Sequence, residues 1–548
     1  MFSKEYILKD RIKKVKFIMV TLLVILIFRV YYIQNKYNPV VTGTEYNNSI
    51  EKEEVGDYKY LLLDRNGKDL NNYTRKYKII IDGDTFKMNS MNQNLENFIS
   101  FNYIMEEAVK EFDVNKITSS GNIRYTYEIS EETYKKVGQL KGVKGMYAYQ
   151  YDEKTNINNW SIESILMKDK AYNPQKQEDN YLKSADSLEG EILNYTKDNE
   201  ATSIMFEKDI DGIYSEVKYE VNPDNNNIGL TIDKDYQEAI REVLNREEYS
   251  IHENIGVALV KSSTGEVLSI AQKDELAPNL VTGGGVVGYE PGSTFKVVTL
   301  GAAMKYNNVT LSDMYECKGK ICKEFNVHGK INLQKAMEVS CNDIFAELGA
   351  EVDYNLLVEY AKEQGYFTSV LNLDLSTGME STGAIANIAE SQGNFPIGQG
   401  AQSTPIQVVA SLSTIVNGGF YIEPFLMKEV KNQDGKEIKK FSGEQSKVLD
   451  EFDANIIKNL LIDCVNNGTG KEAQIEGVEI GGKTGTTESV GNSSHGWFLG
   501  YFKMDDEYYN MVVFVPNIDG KGEAGQELGG GNTATPIFKE IVLELLKK

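Results

Sequence analysis

A serine and a lysine three positions apart are the first residues of this sequence that could do chemistry. In "GYEPGSTFKVVTLGAAM" (288–304), Ser293 and Lys296 follow a Pro-Gly turn at the head of an apolar stretch. Residues i and i+3 share one face of a helix, so the hydroxyl and the amine are predicted to be neighbours. If the apolar stretch is a buried helix, Lys296 is desolvated, and its lowered pKa lets the amine act as a base toward the serine. The pair therefore predicts nucleophilic catalysis by Ser293.

Two later stretches contribute further polar groups. "EVSCNDIFAELG" (338–349) places Ser340 and Asn342 where a helix is predicted to begin. "GVEIGGKTGTTE" (477–488) reads as a glycine-flanked strand. This strand holds an amine, two hydroxyls and a glycine in a row, at Lys483, Thr484, Gly485 and Thr486. A Ser-x-x-Lys pair alone arises by chance in a chain of this length, whereas three such motifs in this order are specific.

The three motifs resemble the Ser-x-x-Lys, Ser-x-Asn and Lys-Thr-Gly set of the penicillin-recognising serine acyltransferases. The stretches at 61–70, 395–419 and 495–502 are similar to the monofunctional, membrane-anchored class B penicillin-binding proteins. The resemblance is strong over residues 226–548 and loose before them. It implies an α+β transpeptidase domain, in which helices cover both faces of an antiparallel sheet, preceded by an elongated pedestal domain and a transmembrane helix.

The resemblance implies roles for the residues of the first two motifs. Ser293 would attack the carbonyl between the two D-alanines that end a peptidoglycan stem peptide, and Lys296 would take its proton. Ser340 would relay a proton toward the leaving amine, and Asn342 would hydrogen-bond the peptide amide of the substrate. An acyl-enzyme on Ser293 is the expected intermediate.

The third motif is implied to bind the substrate. Lys483 would place positive charge near the terminal carboxylate, which Thr484 and Thr486 would bind. The strand would pair with the extended substrate, and Gly485 would leave that approach open. The backbone amides of Ser293 and Thr486 are the expected oxyanion hole.

The activity that the resemblance implies is D,D-transpeptidation, with β-lactams as covalent inhibitors. Water as the acceptor would instead give a D,D-carboxypeptidase or a β-lactamase-type hydrolase, and a non-enzymatic β-lactam sensor or scaffold is a third hypothesis. The Glu-x-x-Leu-Asn stretch of class A β-lactamases is missing, since the nearest match, "TSVLN" (368–372), lacks the acid. The absence of a glycosyltransferase signature favours a separate, polytopic membrane glycosyltransferase as partner. The motifs do not distinguish roles in elongation, division or sporulation.

A second cluster overlaps the Ser-x-Asn motif. Three of the four cysteines and one of the three histidines fall within residues 317–341. These soft ligands suit a tetrahedral, structural Zn²⁺, and some penicillin-binding proteins are similar in carrying a metal here. Disulfides or buried thiols are the alternatives for an extracytoplasmic protein. Because Cys341 lies between Ser340 and Asn342, its side chain is expected to point away from the cleft. The predicted ligands are Cys317, Cys322, His328 and Cys341.

The N-terminus predicts a membrane anchor. Lysines and an arginine precede the apolar run "FIMVTLLVILIF" (17–28), which residues up to 34 can extend. A cleaved signal peptide is the alternative, but the first alanine of the chain is Ala108, so an Ala-x-Ala cleavage site is missing. The prediction is a single-pass protein of a bacterial cell membrane with its catalytic domain outside. Its parts are a cytoplasmic tail (1–16), an anchor (17–34), a pedestal or dimerisation-type domain (35–225) and a transpeptidase domain (226–548).

Composition and local patterns agree with this organisation. Of 548 residues, 58 are Lys or Arg and 81 are Asp or Glu, and the net charge of -23 argues against nucleic-acid binding. Residues 77–82 are predicted to form a strand, and residues 255–271 to form two strands joined at 263–265. Asp233 is the predicted N-cap of a following helix, and 535–548 a final helix.

Overall fold

The computed structural model divides the chain into two compact units. The smaller contains residues 1–58, 73–155 and 200–222, and the larger contains 59–72, 156–199 and 223–548. The structure describes residues 16–17, 19–24, 26, 29, 50–55, 59–91, 95–119, 123–155, 159–168, 170–173, 178–209, 211–322, 327–385, 393–488, 494–518 and 527–548.

Two three-stranded antiparallel sheets form the smaller unit. The predicted strand at 77–82 is the end of Tyr73–Asp82, whose buried Ile79 and Ile81 pack against Phe86 and Phe101. The first sheet has the order Arg124–Ile129, Tyr73–Asp82, Met146–Lys154, and the second has the order Ile50–Glu54, Ser203–Lys208, Tyr214–Glu220. The helices are Gly83–Phe86, Leu95–Ala108, Val114–Ser119 and Glu131–Gly138, with a 3₁₀ helix at Lys87–Met91.

A five-stranded antiparallel sheet forms the centre of the larger unit. Its strands are β1 (Gly256–Lys261), β2 (Val267–Gln272), β3 (Ile480–Glu488), β4 (Ser494–Met504) and β5 (Glu507–Val515). They lie in the order β2-β1-β5-β4-β3, so β3 is an edge strand. The turn between β1 and β2 contains Gly265 at φ +77°, and the predicted pair of strands is confirmed.

Helices cover both faces of this sheet. The main ones are α1 (Lys234–Leu244), α2 (Lys296–Asn307), α3 (Asn342–Glu351), α4 (Pro405–Val416), α5 (Glu451–Asn466) and α6 (Ala534–Leu545). On β4, Phe498 packs in the core shared with α1 and α6, whereas Trp497 and Leu499 pack in the core shared with α2, α4 and α5. The side chain of Asp233 caps α1 as predicted. The predicted α+β domain with helices on both sheet faces is confirmed.

Shorter elements complete the larger unit. Its other strands are Leu62–Leu63, Lys170–Asn173, Glu178–Leu182, Asn226–Leu230, Met314–Cys317, Gly329–Asn332, Ala384–Ile385, Ala401–Gln402, Phe420–Ile422, Met427–Asn432, Glu437–Lys440 and Gln445–Lys447. Its other α-helices are Ile162–Met167, Leu188–Thr196, Leu333–Glu338 and Tyr354–Lys362. Its 3₁₀ helices are Glu247–Tyr249, Gly292–Phe295, Phe395–Ile397 and Lys471–Ala473.

The grouping differs from a linear division at residue 226, because two earlier segments belong to the larger unit. In segment 59–72, Leu62–Leu63 pairs in parallel with Asn226–Leu230. In segment 156–199, the buried amine of Lys183 lies 2.9 Å from a carboxylate oxygen of Glu189, and Glu189 accepts the backbone N–H of Asp374 at 3.1 Å. Strand pairing and the hydrogen bond from the N–H of Asp374 to Glu189 therefore hold residues distant in sequence within one unit.

The described part of the predicted anchor is helical at residues 17, 19–24, 26 and 29. Within the described residues, no helix has both the length and the apolar character needed to cross a membrane. The rest of the predicted anchor, and residues 1–15 of the predicted tail, lie outside the described residues.

Candidate active site

The partly exposed Ser293 lies on a 3₁₀ turn, Gly292–Phe295, and α2 begins only at Lys296. The predicted helix starting at Ser293 is therefore a tight turn followed by a helix. Gly292 has φ +54°, and a Cβ atom there would lie 2.4 Å from Cγ2 of Thr487. Its N–H donates to the carbonyl of Gly398 at 2.9 Å. A side chain at Gly292 would thus disturb the turn that presents the serine.

Lys296 is fully buried, and its amine is held by the second motif. Nζ donates to the carbonyl of Ser340 at 2.7 Å, to Ser340 Oγ at 3.1 Å and to Asn342 Oδ1 at 2.6 Å. Among the described residues, Ser293 Oγ is not one of its acceptors, so Ser340 and Asn342 hold this amine in place. Burial, reinforced by the nearby charge of Lys483, lowers the pKa of Lys296 well below its usual value.

The turn between two helices orients the second motif. Leu333–Glu338 ends just before Ser340, which has φ +57°, a left-handed conformation that is uncommon outside glycine. α3 then begins at Asn342, so Ser340 and Asn342 both reach Lys296. Between them, Cys341 Sγ lies 3.7 Å from Cys322 Sγ. The side chain of Cys341 therefore contacts the cysteine loop while its two neighbours contact the lysine.

Lys483 of the third motif converges on the same serine. It lies on the edge strand β3, is fully buried, and donates from Nζ to Ser340 Oγ at 2.9 Å and to the carbonyl of Thr484 at 3.0 Å. Burial lowers the pKa of Lys483 to about 8. Two buried amines therefore share one hydroxyl, and the charge of Lys483 disfavours the charged form of Lys296.

The remaining third-motif residues differ in their surroundings. Thr484 is buried, with Oγ1 2.5 Å from Oγ1 of Thr469. Thr486 is exposed, and its Oγ1 accepts the N–H of Gly530 at 3.1 Å. A Cβ atom on Gly485 would lie 3.0 Å from the carbonyl oxygen of Pro291. The glycine therefore lets β3 pack against the serine turn, a reason that the sequence pattern did not reveal.

The predicted metal ligands lie together. The donor atoms of Cys317, Cys322, His328 and Cys341 are all within 4.8 Å of one another. Sulfurs bound at about 2.3 Å to a tetrahedral zinc stand roughly 3.8 Å apart, close to the 3.7 Å between Cys322 and Cys341. Nδ1 of His328 is buried without a hydrogen-bond partner among the described residues. These four residues fit a zinc ion, whereas Cys464 is buried separately on α5.

Three polar residues that the motifs did not single out support the site. Asp343 accepts four backbone N–H groups, which lower its pKa to about 2 against the opposing effect of burial. Glu290 Oε1 accepts the N–H of Gly400 at 2.8 Å, and Thr299 Oγ1 donates to the carbonyl of Pro396 at 2.7 Å. Their positions close to the motifs could have marked these three residues as candidates. Their hydrogen-bond partners could not be predicted, because those partners are distant in sequence.

The two histidines outside the cysteine cluster are also buried, and His252 is only 8% exposed. His495 lies on β4 opposite Thr487, and its Nδ1 accepts the N–H of Asn517 at 3.1 Å. His495 therefore has a structural contact on the strand that follows the third motif.

Comparison with known proteins identifies the family. Residues 255–543, more than half of the chain and all three motifs, match the family described as "Penicillin binding protein transpeptidase domain". The chain belongs to this transpeptidase family. It is 31% identical over 352 residues to stage V sporulation protein D of Bacillus subtilis, covering 58% of this chain and 53% of that protein. It is 25% identical over 392 residues to penicillin-binding protein PbpB of Mycolicibacterium smegmatis, covering 63% and 59%.

The match therefore spans little more than half of these family members' own lengths. A wider structural likeness exists to a peptidoglycan synthetase from Bifidobacterium adolescentis. That comparison has a TM-score of 0.62 at 19% identity and covers 91% of this chain and 96% of the other. At this identity the likeness concerns the fold, and it includes residues before the family match.

Proposed function

We propose that this protein is a serine D,D-transpeptidase that cross-links peptidoglycan stem peptides ending in D-Ala-D-Ala and is acylated by β-lactams. The observation that carries the proposal is the convergence of two fully buried lysine amines, Lys296 and Lys483, on Ser340 Oγ beside the turn that bears Ser293. A buried amine with a lowered pKa can be neutral at ordinary pH, as a general base must be. Membership of the family supports the same chemistry.

Acylation follows from these contacts. A neutral Lys296 amine keeps two N–H groups, enough for the carbonyl of Ser340 and Oδ1 of Asn342. Its lone pair takes the proton of Ser293 Oγ as that oxygen attacks the carbonyl of the penultimate D-alanine. Ser340 Oγ, which accepts hydrogen bonds from both lysines, relays a proton to the departing nitrogen. The peptide C–N bond breaks, the terminal D-alanine leaves as an amine, and an ester on Ser293 remains. An amine of a second stem peptide then attacks this ester and loses its proton to the base. The ester C–O bond breaks, Ser293 Oγ takes that proton back, and the new amide bond is the cross-link.

The edge position of β3 supports a mode of substrate binding. Among the described strands, β3 pairs only with β4, so its outer edge offers backbone groups to an extended peptide. The backbone N–H groups of Ser293 and Thr486 would stabilise the oxyanion. Lys483 would favour the substrate carboxylate electrostatically, and the exposed hydroxyl of Thr486 would bind it.

Intact-protein mass spectrometry after incubation with benzylpenicillin tests the proposal, with Ser293→Ala as the matched control. We expect one covalent adduct on the wild-type chain, persisting for many minutes, and none on the variant. Rapid loss of the adduct with release of penicilloate would favour a hydrolase. A folded wild-type protein that forms no adduct would contradict the proposal and favour a scaffold.

We further propose that Cys317, Cys322, His328 and Cys341 hold a structural Zn²⁺. The spacing of the donor atoms and the unpartnered His328 Nδ1 support this assignment. Zinc would supply a rigid cross-link between segments and no chemistry at Ser293. Metal analysis of the purified protein should give one zinc per chain, and Cys322→Ser should lose it. The absence of metal, with four titratable thiols in the unfolded chain, would contradict this proposal.

We also propose that residues 17–34 anchor the protein in a bacterial cell membrane, with the catalytic unit outside and a polytopic glycosyltransferase as partner. The basic flank and apolar run support the anchor. Full-length chain should sediment with membranes, and a chain starting at residue 35 should not. Crosslinking in cells that carry the full-length chain should capture the glycosyltransferase, and failure to do so would count against that partner.

A further inference from the structure

Residues 340–343 alternate between two partners, the amine of Lys296 and the loop that contains Cys317 and Cys322. Ser340 and Asn342 hydrogen-bond the amine of Lys296. Cys341 and Asp343 instead contact the loop that contains Cys317 and Cys322. The backbone from 340 to 343 therefore connects the catalytic lysine to this loop over a very short distance.

The carboxylate of Asp343 binds the loop through its backbone. Oδ2 accepts the N–H groups of Lys318 and Lys320, each at 2.9 Å. Oδ1 accepts those of Ile321 at 2.6 Å and Cys322 at 2.9 Å. Because an ionised carboxylate offers about four acceptor sites, these bonds use its full capacity. Asp343 is only 8% exposed, so water cannot readily replace them.

These bonds are unusual for an acidic residue in the first turn of a helix. Such a residue commonly stabilises the N–H groups and the dipole of its own helix. Asp343 lies in the first turn of α3, but these four backbone donors all belong to residues 318–322. Its hydrogen bonds therefore join the loop to the start of the helix instead of capping the helix.

We propose that Asp343 is a positioning residue for acylation. By fixing loop 318–322 to the first turn of α3, it holds Ser340 and Asn342 against Lys296. It acts through backbone N–H groups, so its contribution is separate from that of the thiols of Cys317 and Cys322. The effect on acylation rests on the proposed function of Ser293, whereas the loop contacts do not.

Asp343→Asn is the informative variant, because the side chains have the same shape and one oxygen becomes an NH₂ group. Two backbone N–H groups would then point at this NH₂ group, which cannot accept their hydrogen bonds. Glu380→Gln is the matched control. Glu380 is 3% exposed and also accepts four hydrogen bonds, all from the loop at Ser369, Val370, Leu371 and Leu373.

The experiment measures acylation of the full-length, metal-replete protein by a fluorescent penicillin. Stopped-flow kinetics separate the dissociation constant of the first complex from the acylation rate constant, and the end point gives the fraction of acylatable protein. For Asp343→Asn we expect complete acylation, a dissociation constant within about twofold of wild type and a rate constant about tenfold or more lower. Glu380→Gln should match the wild-type rate constant while lowering Tm.

The outcomes separate this inference from the proposed function. If the wild-type chain is not acylated, the proposed function fails, and the inference for acylation fails with it. If the wild-type chain is acylated and Asp343→Asn reacts at the same rate, only the inference is overturned. Equal slowing in both variants, in proportion to their loss of Tm, would also overturn it. If Asp343→Asn does not fold, Asp343→Glu, which keeps the charge, should slow acylation by a smaller factor, and a wild-type rate would contradict the proposal.

Discussion

The two turns that present the catalytic groups are fixed in different ways. The serine turn is held by close backbone packing: Gly292 and Gly398 leave no room for a Cβ atom, and a Cβ atom at Gly485 would be tightly crowded. The Ser340 turn is held by polar side chains, namely the amines of Lys296 and Lys483. Steric packing does not depend on solution conditions, whereas amines respond to pH. The first turn should therefore be sensitive to added volume and the second to charge.

The largest expected effect comes from removing an amine at the Ser340 turn. Lys296→Met should lower the acylation rate constant by roughly 10²–10⁴-fold, because it removes the proposed general base. It also leaves the carbonyl of Ser340 and Oδ1 of Asn342 without their donor. Fluorescent-penicillin kinetics measure the rate, and near-UV circular dichroism checks the fold. A folded variant that reacts at the wild-type rate would exclude Lys296 as the base.

Added volume at the serine turn should have the next largest effect. Gly292→Ala should lower the free energy of unfolding by about 2–4 kcal/mol, since it combines a left-handed φ with a contact of 2.4 Å. Urea unfolding measures this change. Gly435→Ala is the control, because Gly435 has a similarly positive φ of +82°, but a Cβ atom there would have no described atom within 4 Å. If both variants lose the same free energy of unfolding, the loss comes from the positive φ alone and not from crowding at the serine turn.

The pH dependence of stability tests the buried charge of Lys483. Its pKa is about 8 in the folded protein against 10.5 for the usual side chain, so the unfolded chain binds more protons between these values. The free energy of unfolding should therefore rise with pH from about 8 to 10.5, by up to roughly 3 kcal/mol. Lys483→Met should lack this contribution. Urea unfolding at several pH values between 8 and 10.5 gives the free energy of unfolding of the wild type and of the variant. If the difference between the two proteins does not change with pH, the lowered pKa of Lys483 is contradicted.

The smallest effect is expected away from both turns. Thr469→Val removes the hydroxyl partner of Thr484, and should lower the free energy of unfolding by about 1 kcal/mol. The acylation rate constant should stay unchanged, because none of the hydrogen bonds of the two lysine amines goes to Thr469 or to the hydroxyl of Thr484. Thermal unfolding and penicillin kinetics measure the two quantities. A marked loss of acylation would show that Thr484 needs this partner to serve the substrate.

The sequence predicted the residue types of the site better than their environments. The spacing and order of the motifs, together with their resemblance to a known family, brought out Ser293, Lys296 and Lys483, because these motifs are local. The left-handed φ of Ser340 and the four bonds of Asp343 could not be predicted, since they depend on contacts with other segments. The same limit explains why the helix at Ser293 was predicted without its 3₁₀ turn.

The fold shows the same division between local and distant information. The strands at 255–271 follow from two apolar runs separated by a turn signal, and the N-cap at Asp233 follows from its residue type. The membership of segments 59–72 and 156–199 in the larger unit depends on strand pairing and on long-range contacts such as the hydrogen bond from Asp374 to Glu189. No local pattern carries that pairing, so a linear domain boundary was the natural but incomplete prediction.

The inclusion of these two early segments has a consequence for folding during synthesis. Leu62–Leu63 reaches its partner strand only after Asn226–Leu230 has been made, and Asp374, which Glu189 contacts, follows much later. The larger unit is therefore rich in long-range contacts, which slow folding. During translation, its first segments must wait with apolar residues exposed, and a nascent chain of this kind depends on protection from aggregation until its last strands emerge.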